Sequence, residues 1–190
     1  KKSKHKIVCV YTQPPKKKSR GQKILKTAVH VFSENEGIKV NTNNLKSANE
    51  YKNFMNLNPD IVVVVAYGQI IPDIYLKKTG LIFLNLHASL LPKWRGAAPI
   101  ERAVLSKDKE TGISIMKIEK KLDSGPFIKQ VSVKINKETT SGELSKKLSI
   151  LGAEALKDSI ELISSRKVNF KKQNEKKATY AKKINKIETQ

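Results

Sequence analysis

The chain has 190 residues, 38% of them hydrophobic, which is enough for one sizeable core and indicates one main domain. Lys and Arg number 38 against 17 Asp and Glu, and the net charge of +21 favours an anionic partner such as nucleic acid or a membrane surface. Nearly all of this positive charge is lysine. The charge is therefore equally well explained by a proteome that favours lysine in all its proteins. The single cysteine excludes an internal disulfide, and the longest apolar run, residues 61–66, is far too short to span a bilayer. We therefore expect a cytoplasmic protein with no membrane partner.

The first third of the chain predicts one strand and two helices around a basic loop. Residues 7–11 (IVCVY) form a continuously apolar run, as in a strand buried on both faces of a parallel sheet. Residues 13–22 (QPPKKKSRGQ) combine prolines, lysines and a glycine, which indicates a mobile cationic loop. Apolar residues at helical spacing predict helices over 22–36, ending before Gly37, and over 47–57.

The rest of the chain predicts alternating strands and helices. The strand over 60–66 is wholly apolar, so we expect it at the centre of the sheet. The other predicted elements are a short helix over 73–78, a strand over 80–86, a helix over 98–106, and strands over 112–118 and 127–133. Thr140 and Glu143 form a capping box before a long helix through Ile163. The tail from Arg166 onward is polar, lysine-rich and only weakly periodic.

This alternation predicts an α/β fold with a doubly wound, mostly parallel sheet. In such sheets, ligands bind beyond the carboxyl ends of the strands. Four residues fall at or just after predicted strand ends: Gly68, Asn85, His87 and Asp123. The sequence therefore predicts a site at that edge of the sheet.

Asn85 and His87 offer specific chemistry at this edge, because residues two apart on a strand point to one face. An amide donor and an imidazole at one spot suit the oxyanion that forms when a carbonyl is attacked. The carboxylate of Asp123, if it approaches, would orient His87 and favour its protonated form. Each residue alone also has a structural interpretation, since Asn and Asp commonly satisfy turns and a histidine near a strand end is often structural.

Other chemistries find less support. Ser89 beside His87 suggests a serine hydrolase, but the chain has no Gly-x-Ser-x-Gly elbow. Three widely separated histidines and one cysteine give no zinc spacing, so we expect no metal. The chain also lacks a Gly-x-Gly-x-x-Gly turn and a phosphate loop ending in Gly-Lys-Ser/Thr.

The stretch NLHASLLPKWRGAAPI (85–100), followed by LDSGP (122–126), resembles the folate-dependent formyltransferases and is most similar to the methionyl-tRNA formyltransferases. Relatives that act on purine precursors or nucleotide sugars share the Asn-x-His and the SLLP loop but typically diverge around AAPI. VYTQPPKKKSRG (10–21) is similar to the family's basic substrate loop, and VVVVAYGQIIP (62–72) to the segment lining its folate pocket. The resemblance covers residues 7–183.

The resemblance implies transfer of a formyl group from 10-formyltetrahydrofolate to the amino group of methionyl initiator tRNA. Asn85 and His87 match the family's oxyanion-holding residues, and Asp123 matches the residue that tunes the histidine. The residues that would shape the folate site are Tyr67, Gly68, Ile70, Leu90, Leu91, Pro92, Arg95 and Gly96. Those that would contact the tRNA acceptor end are Lys16, Lys17, Lys18 and Arg20.

The resemblance also sets expectations for domain organisation. It implies a catalytic domain over residues 1–183 that lacks the family's first strand and helix, with 184–190 beginning a linker to a C-terminal tRNA-binding domain. We expect a monomer. Two alternatives stay open: an N-formyltransferase acting on a sugar nucleotide or other small amine, and a catalytically inactive basic fragment that binds RNA.

Overall fold

The structure is a computed structural model that describes residues 4–18 and 23–189. The chain divides into two compact units. The first comprises the described residues up to Asp60 together with Tyr67–Thr79, and the second comprises Ile61–Ala66 and the described residues from Gly80 onward. Among the described residues, no helix is both long and apolar enough to cross a bilayer.

The first unit consists of short strands and three helices. In chain order they are β1 (Val10–Tyr11), β2 (Lys16–Lys18), β3 (Lys23–Leu25), α1 (Ala28–Asn35), β4 (Val40–Asn41), α2 (Ala48–Asn56) and α3 (Asp73–Leu76). Strand β1 pairs in parallel with β4. It is shorter than the predicted strand over 7–11 because Ile7 and Val8 are exposed and lack the two-sided burial that a central strand requires.

Strands β2 and β3 form an antiparallel ribbon, which we call the lysine ribbon, where the sequence predicted a mobile loop. Lys16 pairs with Leu25, and Lys18 pairs with Lys23. The loop prediction was wrong for these residues because ladder hydrogen bonds, which composition does not reveal, order the backbone. Residues 19–22 lie outside the described part of the chain.

Helix α1 begins later than predicted because β3 takes up the residues before it. Thr27 is the N-cap, and its hydroxyl accepts a hydrogen bond from the backbone amide of His30. Gly37 follows the helix with φ of +67°, the left-handed conformation expected of the residue just past a helix end.

A buried carboxylate, Glu50, ties α2 to β1 and to the segment that includes β4. It accepts hydrogen bonds from Tyr11 Oη at 2.6 Å, Asn41 Nδ2 at 2.7 Å and Asn43 Nδ2 at 2.7 Å. Burial acts to raise the pKa of Glu50, but these hydrogen bonds, with one from Asn53, outweigh it and lower the pKa. These hydrogen bonds therefore stabilise the charged carboxylate in a buried position, where it forms no ion pair with any other described residue.

The second unit is built on a four-stranded sheet and a long helix. Its elements are β5 (Ile61–Val64), β6 (Ile82–His87), β7 (Arg95–Gly96), α4 (Pro99–Leu105), β8 (Glu110–Lys117), β9 (Phe127–Lys134), α5 (Ser141–Ser164) and β10 (Tyr180–Ala181). The main sheet has the order β5-β6-β8-β9, and β7 pairs in parallel with β10.

The sheet is mixed rather than mostly parallel, within the α/β class that the sequence predicts. Strands β5 and β6 are parallel, whereas β8 is antiparallel to both β6 and β9. The connection between β8 and β9, residues 118–126, is too short for the crossover that a parallel pair requires. Among the described strands, β5 pairs only with β6, so the prediction that it lies at the sheet centre was wrong.

Helix α5 covers one face of this sheet and closes the core. Thr140 and Glu143 form the predicted capping box at its start. The buried core residues are Leu84, Ile113, Ile115, Val133, Leu144, Leu148 and Ala155. This packing holds β6, which carries Asn85 and His87, rigidly against β8.

Candidate active site

The end of β6 carries the two candidate oxyanion donors. Asn85 pairs with Val64 on one side and Met116 on the other, and His87 lies opposite Ser114. Because side chains alternate along a strand, Asn85 and His87 point to the same face of the sheet. Asn85 is half-buried, and His87 is only 6% exposed.

The LDSGP turn brings a carboxylate to this histidine. Asp123 Oδ2 lies 3.7 Å from His87 Nδ1, which is too long for a hydrogen bond but close enough for an electrostatic interaction when the imidazole is protonated. The same oxygen accepts a hydrogen bond from the backbone amide of Gly96 at 2.8 Å. The turn thus carries a carboxylate that a backbone donor holds beside the imidazole.

The other imidazole nitrogen is also engaged. His87 Nε2 lies 2.8 Å from the carbonyl oxygen of Trp94. A carbonyl only accepts, so this contact requires a hydrogen on Nε2. The Nε2 atom is therefore bonded to the loop after β6, while Nδ1 faces the Asp123 carboxylate.

The side-chain amide of Asn85 is the second candidate donor at this strand end. Among the described residues, its side chain makes no hydrogen bond. Two N–H donors at a half-buried strand end are therefore available to an incoming acceptor oxygen.

The loop after β6 is held by hydrogen bonds to β8 and β9. Ser114 Oγ donates to the carbonyl of Ser89 at 2.7 Å and accepts from the amide of Leu91 at 3.0 Å. Gln130 Nε2 donates to the Leu91 carbonyl. The Ser89 hydroxyl donates to the carbonyl of Lys93, so it is committed to the loop and not poised as a nucleophile. Leu90 and Pro92 thus lie partly exposed on an ordered loop, as a binding surface requires, whereas Leu91 is buried.

Arg95 is not exposed toward a ligand, although the resemblance places it among the residues of the folate site. Its side chain is fully buried, and the guanidinium donates to Gln173 Oε1 and to both carboxylate oxygens of Glu175. The hydrogen bond with Glu175 raises the pKa of Arg95. The guanidinium is therefore already paired, and this side chain is part of the scaffold behind the loop.

The remaining candidates lie in the first unit. The carbonyl of Tyr67 accepts from Gln13 Nε2 at 2.8 Å, Gly68 has φ of +73°, and Ile70 is highly exposed. Lys16 and Lys17 are exposed on β2. Lys18 belongs to the same strand, and Arg20 lies outside the described residues. The roles of these residues stay predictions.

Sequence reasoning missed one group of residues near this site. Gln173, Glu175 and Thr179 lie in the tail that the sequence left without a role, yet they contact the loops that carry Arg95 and Asp123. A weakly periodic polar segment gives no local signal of such contacts. The residue types of Gln173, Glu175 and Tyr180 are the one available indication of a structural role for the tail, because such side chains form hydrogen bonds when partly buried.

This is a mixed α/β domain in which an amide, an imidazole and a carboxylate come together where a strand ends. Such an arrangement suits acyl-type transfer, in which charge develops on a carbonyl oxygen. The fold and the site therefore define a group-transfer domain.

The chain belongs to the formyl transferase family, whose family model, described as formyl transferase, matches residues 1–160. It is 49% identical over 184 residues to a protein of Pelagibacter ubique named methionyl-tRNA formyltransferase, an alignment that covers 96% of this chain and 59% of the relative. The chain thus spans somewhat over half the length of that relative.

Solved structures share the fold. A phosphoribosylglycinamide formyltransferase from Bacillus halodurans superposes with a TM-score of 0.70 at 22% identity, over 85% of this chain and 82% of the other. A formyltransferase from Anoxybacillus kamchatkensis, solved with UDP-4,6-dideoxy-4-formamido-L-AltNAc and tetrahydrofolate, superposes with a TM-score of 0.62 at 24% identity, over 91% and 85% of the two chains. The predicted formyltransferase fold is confirmed.

Proposed function

We propose that this chain carries the catalytic centre of an enzyme that transfers a formyl group from 10-formyltetrahydrofolate to methionyl initiator tRNA. Membership of the formyl transferase family and the 49% identity to a protein named methionyl-tRNA formyltransferase support this proposal. The Anoxybacillus formyltransferase solved with tetrahydrofolate supports a folate as the formyl carrier. Translation initiation on this scheme takes place in the cytoplasm.

The observation that carries the proposal is the Asn85 amide, which has no hydrogen-bond partner among the described residues and lies on the same strand end as His87 with its Asp123 neighbour. An uncommitted N–H donor on the same face as a buried imidazole fits an oxygen that gains negative charge during the reaction. In a half-buried site such donors act in a lower dielectric than water, so their effect on the transition state is larger.

In the proposed reaction, the methionyl amine attacks the formyl carbon of the donor. A new C–N bond forms, and the carbonyl oxygen takes a negative charge. The Asn85 amide stabilises this charge, and so does the Nε2–H of His87 once it leaves the Trp94 carbonyl. The bond between the formyl carbon and the folate nitrogen then breaks. The attacking amine loses one proton and the folate nitrogen gains one, and His87 with Asp123 is placed to assist this exchange.

We assign the binding of the formyl donor to the ordered loop of the second unit, where Leu90, Pro92 and Gly96 are partly exposed and Leu91 is buried. For Tyr67, Gly68 and Ile70, in the first unit, a folate-binding role stays a prediction from the resemblance. Arg95 is removed from the set of direct ligands, since its guanidinium is fully buried and paired.

We assign the contact with tRNA to the lysine ribbon and to Arg20, which lies between its two strands in the sequence. Lys16 and Lys17 are exposed on a two-stranded ribbon, where cationic side chains reach a phosphate backbone without first leaving a packed surface. Lys18 and Arg20 extend this cluster in the sequence.

A direct assay tests the proposal. The protein is incubated with 10-formyltetrahydrofolate and one of three acceptors: methionyl initiator tRNA, free methionine, or an amino sugar linked to a nucleotide. Formyl product and released tetrahydrofolate are measured together. We expect stoichiometric transfer to the charged tRNA with a much higher kcat/KM than for either small amine. Preferred transfer to the amino sugar would favour the small-amine alternative, and tRNA binding without transfer would favour an inactive RNA-binding fragment.

A further inference from the structure

Residues 171–181, which we call the strap, connect the two loops of the candidate site. Lys171 pairs with Phe127 directly after the LDSGP turn. The Thr179 amide donates to the carbonyl of Pro92, and its hydroxyl accepts from the amide of Trp94. Tyr180 and Ala181 form β10, which pairs with β7. A single segment thus contacts the loop after β6 and the turn that carries Asp123.

Gln173 is the residue of the strap that contacts the Asp123 turn through its side chain. Its Nε2 donates to the carbonyls of Asp123 at 2.8 Å and Gly125 at 2.7 Å. Its Oε1 accepts from Arg95 Nε at 3.1 Å and from the terminal nitrogen Nη2 at 2.8 Å. Backbone carbonyls only accept and a guanidinium only donates, so the amide satisfies its partners in one orientation alone.

Arg95 is in turn held by Glu175. The guanidinium donates to Oε1 at 2.6 Å and to Oε2 at 3.1 Å, a two-pronged contact with fixed geometry. Hydrogen bonding from Arg95, and then from Lys121, lowers the pKa of Glu175 to about 2. The carboxylate is therefore charged at neutral pH and keeps the guanidinium, and through it the amide of Gln173, in place.

The conformation of Asp123 makes this support relevant to the site. Asp123 has φ of +44°, a left-handed conformation that is uncommon for residues other than glycine, asparagine and aspartate, and two hydrogen bonds to Asp123 stabilise it there. Gln173 binds its carbonyl, and the amide of Gly96 binds its carboxylate. The amides on either side of Gly96, those of Arg95 and Ala97, donate to the strap carbonyls of Thr179 and Ala181.

We infer that Gln173 is a positioning residue, which sets the approach of the Asp123 carboxylate to His87, with Arg95 and Glu175 holding its side-chain amide in the required orientation. The kinetic consequence rests on the proposed function. The structural consequence does not, because the 3.7 Å approach of Asp123 to His87 exists without substrate.

The inference is tested with two variants of Gln173 and a matched control. Gln173→Glu keeps an acceptor for Arg95 but presents oxygen to the carbonyls of Asp123 and Gly125, whereas Gln173→Leu removes both sets of hydrogen bonds. Lys177→Gln, an exposed position on the same strap, is the control. We expect both Gln173 variants to lower kcat by about 10-fold to 10²-fold, the range for a misplaced catalytic group, with a smaller change in KM for the formyl donor. Lys177→Gln should keep the parent kcat.

A second measurement separates positioning from activity. The ring ¹⁵N resonances of His87 are compared in parent and variants, with the ring of His30, in the other unit, as an internal reference. We expect both Gln173 variants to shift the His87 resonances and leave those of His30 unchanged. The parent protein could fail to transfer formyl groups while the His87 resonances still shift in the variants. That result would reject the proposed function and retain the positioning role.

Unchanged His87 resonances in a folded Gln173→Glu protein would overturn the inference, as would parent-like kcat. If neither Gln173 variant folds, Glu175→Gln decides, because its side chain is half-exposed and the substitution weakens only the pairing of this carboxylate with Arg95 and Lys121. A His87 spectrum identical to the parent in that variant would then reject the positioning role.

Discussion

The backbone amide of Gly96 donates a hydrogen bond of 2.8 Å to Asp123 Oδ2, the carboxylate oxygen that lies 3.7 Å from His87 Nδ1. The two loops of the site are therefore joined at one oxygen. Gly96 has φ of +113°, and a Cβ at this position would lie 2.9 Å from the carbonyl oxygen of Ala181. The close approach of β7 and β10 thus requires glycine here, and the position of the Asp123 carboxylate depends on it.

Gly96→Ala should therefore destabilise the protein by about 1 to 3 kcal/mol, since the substitution forces a side chain into a strained conformation and a close contact. The matched control is Gly142→Ala, at the start of α5, where the added Cβ would have no atom within 4 Å other than those of its own helix backbone and chain neighbours. That change should be neutral or stabilising by up to about 1 kcal/mol, because alanine favours helix more than glycine. Thermal unfolding of the two variants checks this, and equal melting temperatures would contradict it.

Asn85→Ala should lower turnover by about 10² to 10³, the usual decrease on removing one oxyanion donor. The physical reason is that its amide has no other partner among the described residues, so its contribution goes to the reacting oxygen. The measurement is kcat with the formyl donor saturating. Asn56→Ala, an exposed position at the end of α2, is the matched control and should keep parent turnover. A parent-like kcat for Asn85→Ala would remove this residue from the catalytic group.

Asp123→Asn should lower kcat by about 10² while the fold is retained, within the range for removal of acid–base assistance. Asparagine keeps an oxygen that can accept from Gly96 but removes the charge next to His87. Melting temperature and single-turnover rate are measured together. Equal rates for variant and parent at every pH tested would show that the carboxylate charge is not used.

Glu175→Gln should change stability in a pH-dependent way. The folded pKa of Glu175 is about 2, below its usual value of 4.5, because Arg95 and then Lys121 donate hydrogen bonds to its charged form. Because the pKa is lower in the folded than in the unfolded state, the charged carboxylate contributes its full stabilisation at pH values above the unfolded pKa. This contribution is lost as the pH falls from about 4.5 through 2.

The parent should therefore have a higher melting temperature than Glu175→Gln at neutral pH, and the two curves should converge as the pH approaches 2. Glu138→Gln, at an exposed position whose carboxylate makes no ion pair among the described residues, is the control. A difference between parent and Glu175→Gln that stays constant from neutral to acid pH would show that the Glu175 charge does not stabilise this region.

The lysine ribbon should contribute to tRNA affinity by pairing its cationic side chains with phosphates. Neutralising Lys16, Lys17, Lys18 and Arg20 should reduce the slope of log affinity against log salt by about 0.7 to 0.9 for each phosphate that is no longer neutralised. A quadruple change of the same charge at exposed lysines elsewhere, Lys137, Lys146, Lys147 and Lys157, is the control. Equal slopes for the two variants would assign the effect to net charge, and parent affinity in the ribbon variant would favour the small-amine alternative.

Local sequence patterns determined much of this protein without any tertiary contact. Alternation on β6 places Asn85 and His87 on one face, because side chains alternate in any strand. Thr140 and Glu143 form a capping box because both partners lie within one helical turn. The class of fold and the resemblance to the formyltransferases also follow from such short motifs.

Tertiary structure alone decided which distant segments meet. The strand over 61–64 lies at the edge of its described sheet, and the lysine segment pairs as a ribbon, because backbone hydrogen bonds join residues whatever their side chains. Arg95 looked like a ligand residue by motif, yet its partners are 78 and 80 residues further along the chain. No local pattern specifies such a partner. Burial and ion pairing of the guanidinium stabilise the protein only after folding has brought the strap next to the loop.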